Sequence, residues 1–338
     1  MRTISVALMG LLVVAAAPFA AAQKLNACGA TFPDPIYKKW FSVYGKANQG
    51  VQINYEANGS GGGVKGVTDG TVDFGASDMP MTDQELAAVK SGKILHFPTV
   101  LGAVVPIYNL PGVTRELKFS GPVLADIFLG TISKWGDPRI AKENPGVKLP
   151  NEDIVVVHRT DGSGTTFVWT DFLAKVSPQW KSKVGAAKSV SWPKGLGGAQ
   201  SAGVTGLVKQ NPNSISYVEL LYALQNKIGY GQVKNSAGNF VKADVATVTE
   251  AAAGAAKNMP GDFRVSITNP PGKNAYPIST FTWLLIPSKF SDPAKAKQVK
   301  EMLHWVLTDG QVLCAGLSYA PLPQAVVTKE EKQIDAIH

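Results

Sequence analysis

The stretch His158-Arg159-Thr160-Asp161-Gly162-Ser163-Gly164-Thr165-Thr166 indicates the fold more clearly than any other part of the chain. The apolar, β-branched run 154–157 before it predicts a buried strand, and apolar residues at positions 167, 172, 173 and 176 predict a helix that begins near Thr165. A glycine-rich loop between a strand and a helix directs backbone N–H groups and the positive end of the helix dipole towards one point. Arg159 adds a planar guanidinium that suits an oxyanion. The same residues also fit a simple turn in which a Ser or Thr caps the helix.

The N-terminal segment, the length and the charge of the chain indicate the class of protein. The chain has 338 residues and a formal net charge of +8. Residues 1–22 have the pattern of a cleaved secretory signal peptide, with Arg2, an apolar run over 4–17 and small residues at 20–22. We therefore expect an exported, soluble mature chain that is long enough for two domains. The basic residues form no clustered patch of the kind that binds nucleic acid, so we expect no nucleic-acid partner.

The two cysteines, Cys28 and Cys314, are too few for a disulfide scaffold and lack the spacing of a zinc site. In an oxidising compartment they could form a disulfide with each other. Two separate buried thiols are the alternative. The sequence leaves both open.

Two earlier loops repeat the arrangement of the central stretch. Apolar residues over 32–44 recur at helical spacing and predict an amphipathic helix, with Thr31 at its N-cap and Pro33 in its first turn. Residues 51–55 alternate like a short strand, and a glycine-rich turn with Ser60 follows. Glycines 61, 63 and 66 match a dinucleotide-binding spacing, but the acidic residue and the βαβ context of such a site are missing.

A fourth loop contains Asp78. Residues 72–80 predict a short strand that enters a turn, and Thr82 to Glu85 has the pattern of a capping box at a helix start. Asp78 could simply favour the turn, or its carboxylate could face a cleft. The long apolar run 97–108 predicts buried sheet that passes from one domain into the next.

The remaining patterns indicate an α/β fold. They predict strands over 215–218 and 279–286, helices over 123–129, 219–226, 245–256 and 293–307, and a charged tail after residue 323. Alternating strands and helices favour a sheet with helices on both faces. Such folds bind ligands at the carboxyl ends of the strands, where the loops gather.

These loops together predict a cage for one tetrahedral oxyanion. Thr31, Ser60 and the segment 163–165 each combine a hydroxyl with the start of a helix, and Arg159 and Asp78 add one cation and one carboxylate. A hydrolase with Ser163 as nucleophile would need a general base, and Asp161 and Thr165 stand where the GxSxG motif has glycines. His158 fits a strand residue that points away from the loop. The histidines have no metal-ligand spacing, so we expect neither a metal nor a cofactor.

The chain closely resembles the PstS family, the periplasmic phosphate-binding proteins of the bacterial ABC-type phosphate importer. The resemblance covers nearly the whole mature chain. Its motifs are Gly29-Ala30-Thr31-Phe32-Pro33, Gly59-Ser60 with Gly62-Gly63-Val64-Lys65, Val72-Asp73-Phe74-Gly75-Ala76-Ser77-Asp78, Arg159 with Asp161-Gly162-Ser163-Gly164-Thr165, and Trp192-Pro193 with Gly195-Leu196-Gly197-Gly198. The family often has a second serine after Ser60, and here that position is Gly61.

The resemblance implies a two-lobed, hinged periplasmic binding protein (Venus-flytrap) fold with the ligand in the cleft between the lobes. Lobe one would comprise 23–99 and 272–338, and lobe two 100–271. The implied phosphate-binding residues are Thr31, Phe32 through its backbone N–H, Ser60 and Asp78 from lobe one, and Arg159, Ser163, Gly164 and Thr165 from lobe two. Asp161 would pair with Arg159 and hold its guanidinium.

The resemblance also implies a function and partners. The chain would bind inorganic phosphate in the periplasm as a monomer and deliver it to the transmembrane subunits of an ABC-type permease, without catalysing a reaction. The alternative is a secreted phosphatase or phosphoester-binding protein on the same fold. Turnover of a chromogenic phosphoester distinguishes the two.

Overall fold

The structure is a computed structural model that describes residues 23–48, 50–90 and 92–338. The predicted signal peptide, residues 1–22, lies outside these residues. Within the described ranges, none of the helices combines the length and the apolar composition that a membrane crossing requires.

A mixed sheet forms the centre of the molecule. The strands are β1 (Gln23–Gly29), β2 (Val51–Glu56), β3 (Phe74–Ser77), β4 (Ile94–Asn109), β5 (Lys118–Phe119), β6 (Val155–Arg159), β7 (Leu196–Gly198), β8 (Ser214–Glu219), β9 (Gly229–Tyr230), β10 (Gln232–Lys234), β11 (Phe240–Val241) and β12 (Ser279–Pro287). In the described part of the chain, nine of them form one sheet in the order β2-β1-β3-β12-β4-β8-β6-β7, with β9 also paired to β4. A small sheet, β11-β10-β5, lies apart from it.

Strand β4 connects the two halves of the large sheet. Its residues 94–103 pair with β12, and its residues 104–109 pair with β8. We call β2, β1, β3, β12 and the beginning of β4 the first half, and the end of β4, β8, β6, β7 and β9 the second half. All but the last of the sixteen β4 residues are buried, as the apolar run 97–108 predicts. The molecule is thus a two-lobed α/β protein.

Helices pack against this sheet through apolar faces. The helices are α1 (Asp34–Ala47), α2 (Ser60–Asp69), α3 (Asp83–Ala87), α4 (Gly121–Leu129), α5 (Pro138–Glu143), α6 (Gly164–Val176), α7 (Pro178–Lys183), α8 (Gln200–Gln210), α9 (Leu220–Gln225), α10 (Val245–Lys257), α11 (Pro293–Leu307) and α12 (Gln324–Ile334). In α1 the buried positions 36, 37, 40, 41 and 44 recur at helical spacing. The capping box predicted at Thr82 is present, because its hydroxyl accepts from the N–H of Glu85 and the Glu85 carboxylate accepts from the N–H of Thr82.

One local prediction is wrong, and one segment without a prediction is helical. Thr31 is not the N-cap of α1, because the helix begins at Asp34 and Pro33 occupies the cap position. The fixed φ of a proline suits the start of a helix, and this leaves the Thr31 hydroxyl too far upstream to cap it. The charged tail after residue 323, for which the sequence patterns predict no element, forms α12, with positions 326, 327, 330 and 334 buried.

The two cysteines are separate. Cys28, in β1, and Cys314, after the first of two short 3₁₀ helices, are buried free thiols. Burial raises the pKa of both thiols, that of Cys314 to about 12. Of the two alternatives that the sequence leaves open, the structure therefore has the unpaired thiols.

Candidate functional site

The site loops follow the carboxyl ends of parallel strands. In the first half, β1 is parallel to both β2 and β3, and the loops after these strands contain Thr31, Ser60 and Asp78. In the second half, β6 is parallel to β7 and β8, and the loop after β6 follows Arg159. Because the carboxyl ends of parallel neighbours lie at the same edge of a sheet, each half gathers its polar loops at one edge.

The two halves are in contact at these edges. The N–H of Gly61 donates to the carbonyl of Gly162 at 2.7 Å. The Thr31 and Ser201 hydroxyls are 2.7 Å apart. Lys188 in the second half also forms an ion pair with Glu85 in the first. The loops of the two halves therefore form one continuous polar cleft.

Asp78 is the buried carboxylate of this cleft. It is 1% exposed, and its Oδ1 accepts from the Thr282 hydroxyl at 3.0 Å. Its Oδ2 accepts from the hydroxyl of Thr165, in the opposite half, at 3.2 Å. Burial raises the pKa of Asp78 to about 7, although these hydroxyls and the charge of Arg159 oppose the rise. The ionised form is therefore held in place by donors but is poorly solvated.

Arg159 and Asp161 form an ion pair in which the guanidinium is buried and the carboxylate is 19% exposed. The Arg159 side chain is 2% exposed; its Nε donates to Asp161 Oδ1 at 2.7 Å, and its Nη2 donates to Asp161 Oδ2. The N–H of Gln200 also donates to Asp161 Oδ1, at 2.9 Å. Burial raises the pKa of Asp161, but these bonds and the charge of Arg159 outweigh burial and bring the pKa below its usual value. Asp161 is thus ionised and fixes one edge of the guanidinium.

The start of α6 faces the first half closely. Ser163 is its N-cap and accepts from the N–H of Thr166 at 3.0 Å, so the capping role that the sequence left open is present. A Cβ on Gly164 would lie 2.5 Å from the Ser60 hydroxyl oxygen and 2.7 Å from the Asp78 nitrogen. Only glycine therefore fits between the two halves at this position. The N–H groups of Gly164 and Thr165 belong to the first turn, where a helix has no internal acceptors.

Ser60 and the loop 31–32 complete the first half of the cleft. Ser60 begins α2, is 1% exposed, and accepts from the N–H of Asp78 at 3.1 Å. The ring of Phe32 is buried, and the backbone N–H of Phe32 donates to no acceptor within the described residues. The predicted site residues Thr31, Phe32, Ser60, Asp78, Arg159, Asp161, Ser163, Gly164 and Thr165 thus all lie along this cleft.

Sequence reasoning missed several residues that hold this set together. Ser201 is buried in the first turn of α8, and its hydroxyl lies 2.7 Å from that of Thr31 and accepts from Arg159 Nη1 at 3.4 Å. The hydroxyl of Tyr217 lies 2.6 Å from that of Thr166 and accepts from the N–H of Arg159 at 3.3 Å. The glycines before α8 were part of the family resemblance, and they were the available signal for Ser201.

The geometry around Ser163 differs from that of an activated nucleophile. In the described part of the chain, no histidine or carboxylate lies within hydrogen-bond distance of its hydroxyl. The His158 ring stacks on Trp192 with the centroids 4.9 Å apart, and its Nδ1 lies 3.1 Å from the carbonyl oxygen of Arg159. Burial lowers the pKa of His158. The ring is therefore packed away from the Ser163 hydroxyl, as the strand alternation predicts.

Comparison with known proteins gives a consistent set of relatives. A model of the PBP superfamily domain matches residues 15–309. The phosphate-binding protein PstS of Pasteurella multocida (strain Pm70) is 44% identical over 313 residues, which are 92% of this chain and 90% of that protein. The phosphate-binding protein PstS of Haemophilus influenzae is 42% identical over 318 residues, 94% of each chain.

Solved structures share the fold at low sequence identity. One is a high affinity periplasmic phosphate-binding protein (PfluDING) bound with phosphate, with a TM-score of 0.72 and 21% identity over 92% of this chain and 93% of that one. Another is a phosphate-binding protein from Stenotrophomonas maltophilia, with a TM-score of 0.70 and 18% identity over 92% of this chain and 94% of that one. At these identities the likeness concerns the fold.

Proposed function

The chain belongs to the PBP superfamily and, within it, to the PstS family of phosphate-binding proteins, and on that premise we propose that it binds inorganic phosphate in the cleft between its two halves. The ligand set is the one predicted from the sequence: Thr31, the Phe32 N–H, Ser60, Asp78, Arg159, Ser163, Gly164 and Thr165, with Asp161 behind Arg159.

One observation carries this proposal: donors from both halves converge around a single buried carboxylate. The first turn of α6 supplies N–H groups, Ser60 and Thr165 supply hydroxyls, and Arg159 supplies a guanidinium that Asp161 fixes along one edge only. Asp78 lies among them as an acceptor. Such a set suits a tetrahedral anion with many acceptor oxygens and at least one proton.

We also propose how the bound phosphate is used. The chain would act in the periplasm as a monomer and deliver phosphate to the transmembrane subunits of an ABC-type permease, after cleavage of the signal peptide near Ala22. The names of the relatives support this proposal, as does the signal-peptide pattern of residues 1–22.

The lobe division proposed is 23–99 with 272–338 for lobe one and 100–271 for lobe two. Along β4 the pairing partner changes, because β12 pairs up to Ala103 and β8 pairs from Val104. This change supports a passage of the chain from lobe one to lobe two in this region. Strand β12 pairs with β3 in the first half, which supports the return of the chain to lobe one at residue 272.

Binding without catalysis is the function proposed for the cleft. The cap that Ser163 provides to α6 and the packing of His158 on Trp192 support this reading. Purified protein is expected to release no product from a chromogenic phosphoester. Steady turnover that is abolished in Ser163→Ala would favour the phosphatase instead.

Calorimetry with phosphate, arsenate and sulfate tests the binding itself. We expect one phosphate per chain, similar binding of arsenate because it has the same shape and protons, and much weaker binding of sulfate. A wild-type protein that binds no phosphate, by calorimetry and by equilibrium dialysis, would refute the proposal.

A further inference from the structure

The loop between β1 and α1 is held by a row of tyrosines. The carbonyls of three consecutive residues each accept a hydrogen bond from the hydroxyl of a different tyrosine. The pairs are Tyr55 with Ala30 at 2.6 Å, Tyr222 with Thr31 at 2.8 Å, and Tyr319 with Phe32 at 2.7 Å. The three tyrosines come from β2, from α9 and from the segment after the second 3₁₀ helix. Three separate elements therefore converge on three consecutive residues of this loop.

Two of these bonds fix the direction of an opposite N–H group, because the carbonyls of Ala30 and Thr31 precede residues with an N–H. The carbonyl of Phe32 precedes Pro33, which has none. In a planar trans peptide the C=O and the N–H of one unit point in opposite directions. The carbonyl of Thr31 and the N–H of Phe32 belong to the same unit, so the hydroxyl of Tyr222 on one side determines where the Phe32 N–H points on the other. A hydrogen bond accepted at the carbonyl also strengthens the N–H as a donor.

The three tyrosines differ in the half to which they belong. Tyr55 lies in β2, and Tyr319 precedes Ala320, which pairs with Leu101 in the part of β4 next to β12, so both belong to the first half with the loop itself. Tyr222 lies in α9, directly after β8, and belongs to the second half. Its bond to Thr31 therefore crosses the cleft and requires the two halves to be together.

On the premise that the chain binds phosphate, we propose that Tyr222 is a positioning residue of the site: across the cleft it holds the Thr31 carbonyl so that the Phe32 N–H faces the anion only in the closed state. Tyr55 and Tyr319 hold the neighbouring carbonyls in both states. Closure thus orients the Phe32 N–H of the first half, in addition to bringing the phosphate-binding residues of the two halves together.

The chemistry of Tyr222 suits this role. Burial raises the pKa of its phenol above the usual value, so the hydroxyl stays protonated and donates throughout the neutral range. Among the residues that the structure describes, the other donor to the Thr31 carbonyl is the Asp34 N–H, at the long distance of 3.4 Å. Tyr222→Phe removes the donor and leaves the ring.

The experiment compares Tyr222→Phe with Tyr319→Phe and with a control, Tyr108→Phe. Tyr108 is a buried tyrosine whose hydroxyl accepts from the N–H of Leu117 at 3.0 Å, outside the loop. We expect Tyr222→Phe to weaken phosphate binding about tenfold, chiefly through faster dissociation, without lowering the melting temperature of the phosphate-free protein. Tyr319→Phe should lower both the phosphate affinity and the melting temperature. Tyr108→Phe should lower only the melting temperature.

The amide resonance of Phe32 provides a second readout. In phosphate-bound Tyr222→Phe, its amide proton should move upfield relative to the bound wild type, because the N–H donates a weaker hydrogen bond. Wild-type affinity in Tyr222→Phe, or an unmoved Phe32 amide proton, would overturn the inference while leaving the proposed function intact. A wild-type protein that binds no phosphate would overturn both.

Discussion

Replacement of Asp78 by asparagine should reduce the preference for phosphate over sulfate. Both oxygens of this buried carboxylate already accept hydroxyl donors, from Thr282 at 3.0 Å and from Thr165 at 3.2 Å. An ionised carboxylate has no proton, so its remaining lone pairs can only accept. A ligand oxygen beside Asp78 must therefore supply the hydrogen. Near neutral pH phosphate carries such a proton and sulfate carries none.

The size of the effect follows from the burial of Asp78. A sulfate oxygen beside the ionised carboxylate places two acceptors together, and a buried acceptor without a donor costs about 1–3 kcal/mol, or more when charged. Each 1.4 kcal/mol corresponds to about tenfold in affinity. The asparagine amide can accept from phosphate through its oxygen and donate to sulfate through its nitrogen. Asp78→Asn should therefore lower the ratio of phosphate to sulfate affinity at least about tenfold.

The raised pKa gives this prediction a pH dependence. Burial brings the pKa of Asp78 to about 7, so below that pH the carboxyl of the phosphate-free protein holds a proton that it can donate to sulfate. The wild-type preference for phosphate should therefore weaken as the pH falls from 8 to 5.5. The preference of Asp78→Asn should change less over the same interval, because the amide does not titrate.

Competition of both anions, at fixed ionic strength and at both pH values, measures the ratio. Asp73→Asn is the matched control, because Asp73 lies close in the same motif but accepts from the Asn26 N–H and from Lys295, both at 2.7 Å, outside the cleft. The control should retain the wild-type ratio. A full wild-type preference in Asp78→Asn would mean that another residue discriminates between the anions and that the proton argument is incorrect.

The other predictions concern closure, the guanidinium, stability and the thiols. Small-angle scattering should show a smaller radius of gyration at saturating phosphate than without it, and identical profiles would contradict a hinged closure. Arg159→Lys should bind phosphate at least about tenfold more weakly while remaining folded by circular dichroism, because lysine lacks the two-pronged geometry that Asp161 holds; unchanged affinity would remove Arg159 from the site. In phosphate-free protein, Asp78→Asn should raise the free energy of unfolding at pH 8 by up to about 4 kcal/mol, since a pKa raised from 3.8 to about 7 means that wild-type stability falls as the pH rises between these values. This gain should vanish below pH 4, and a gain that does not depend on pH would have another cause. Thiol titration of unfolded, unreduced protein should detect both Cys28 and Cys314, and no free thiol would indicate a bridge.

Local patterns were sufficient to predict most of the elements. Helix α11 has the bounds 293–307 that the sequence predicts, because Pro293 suits its first turn and apolar residues recur at helical spacing after it. The crossing strand β4 was predicted because residues 97–108 form a long apolar run of strand-forming residues. The cleft loops were predictable because each follows a strand and precedes or approaches a helix start, with the family resemblance assigning individual residues.

Contacts between distant parts of the chain were not predictable in this way. Thr31 was expected to cap its own helix, but its hydroxyl contacts Ser201, 170 residues away, and its carbonyl contacts Tyr222, 191 residues away. The hydroxyl of Thr282 reaches Asp78 over 204 residues. Single serines, threonines and tyrosines carry no periodic signal, so the partners appear only when the sheet brings the strand ends together.

The two carboxylates of the cleft also show that net charge does not explain recognition of an anion. Asp161 neutralises Arg159, and Asp78 adds a negative charge above pH 7, so these three groups together carry a net negative charge before any ligand arrives. Attraction must then come from the N–H groups at helix starts and from hydroxyls, which act at short range in a site shielded from water. A site that relied on charge could not separate two tetrahedral dianions of similar size. A site made of donors and one obligate acceptor separates them by the proton that only phosphate carries.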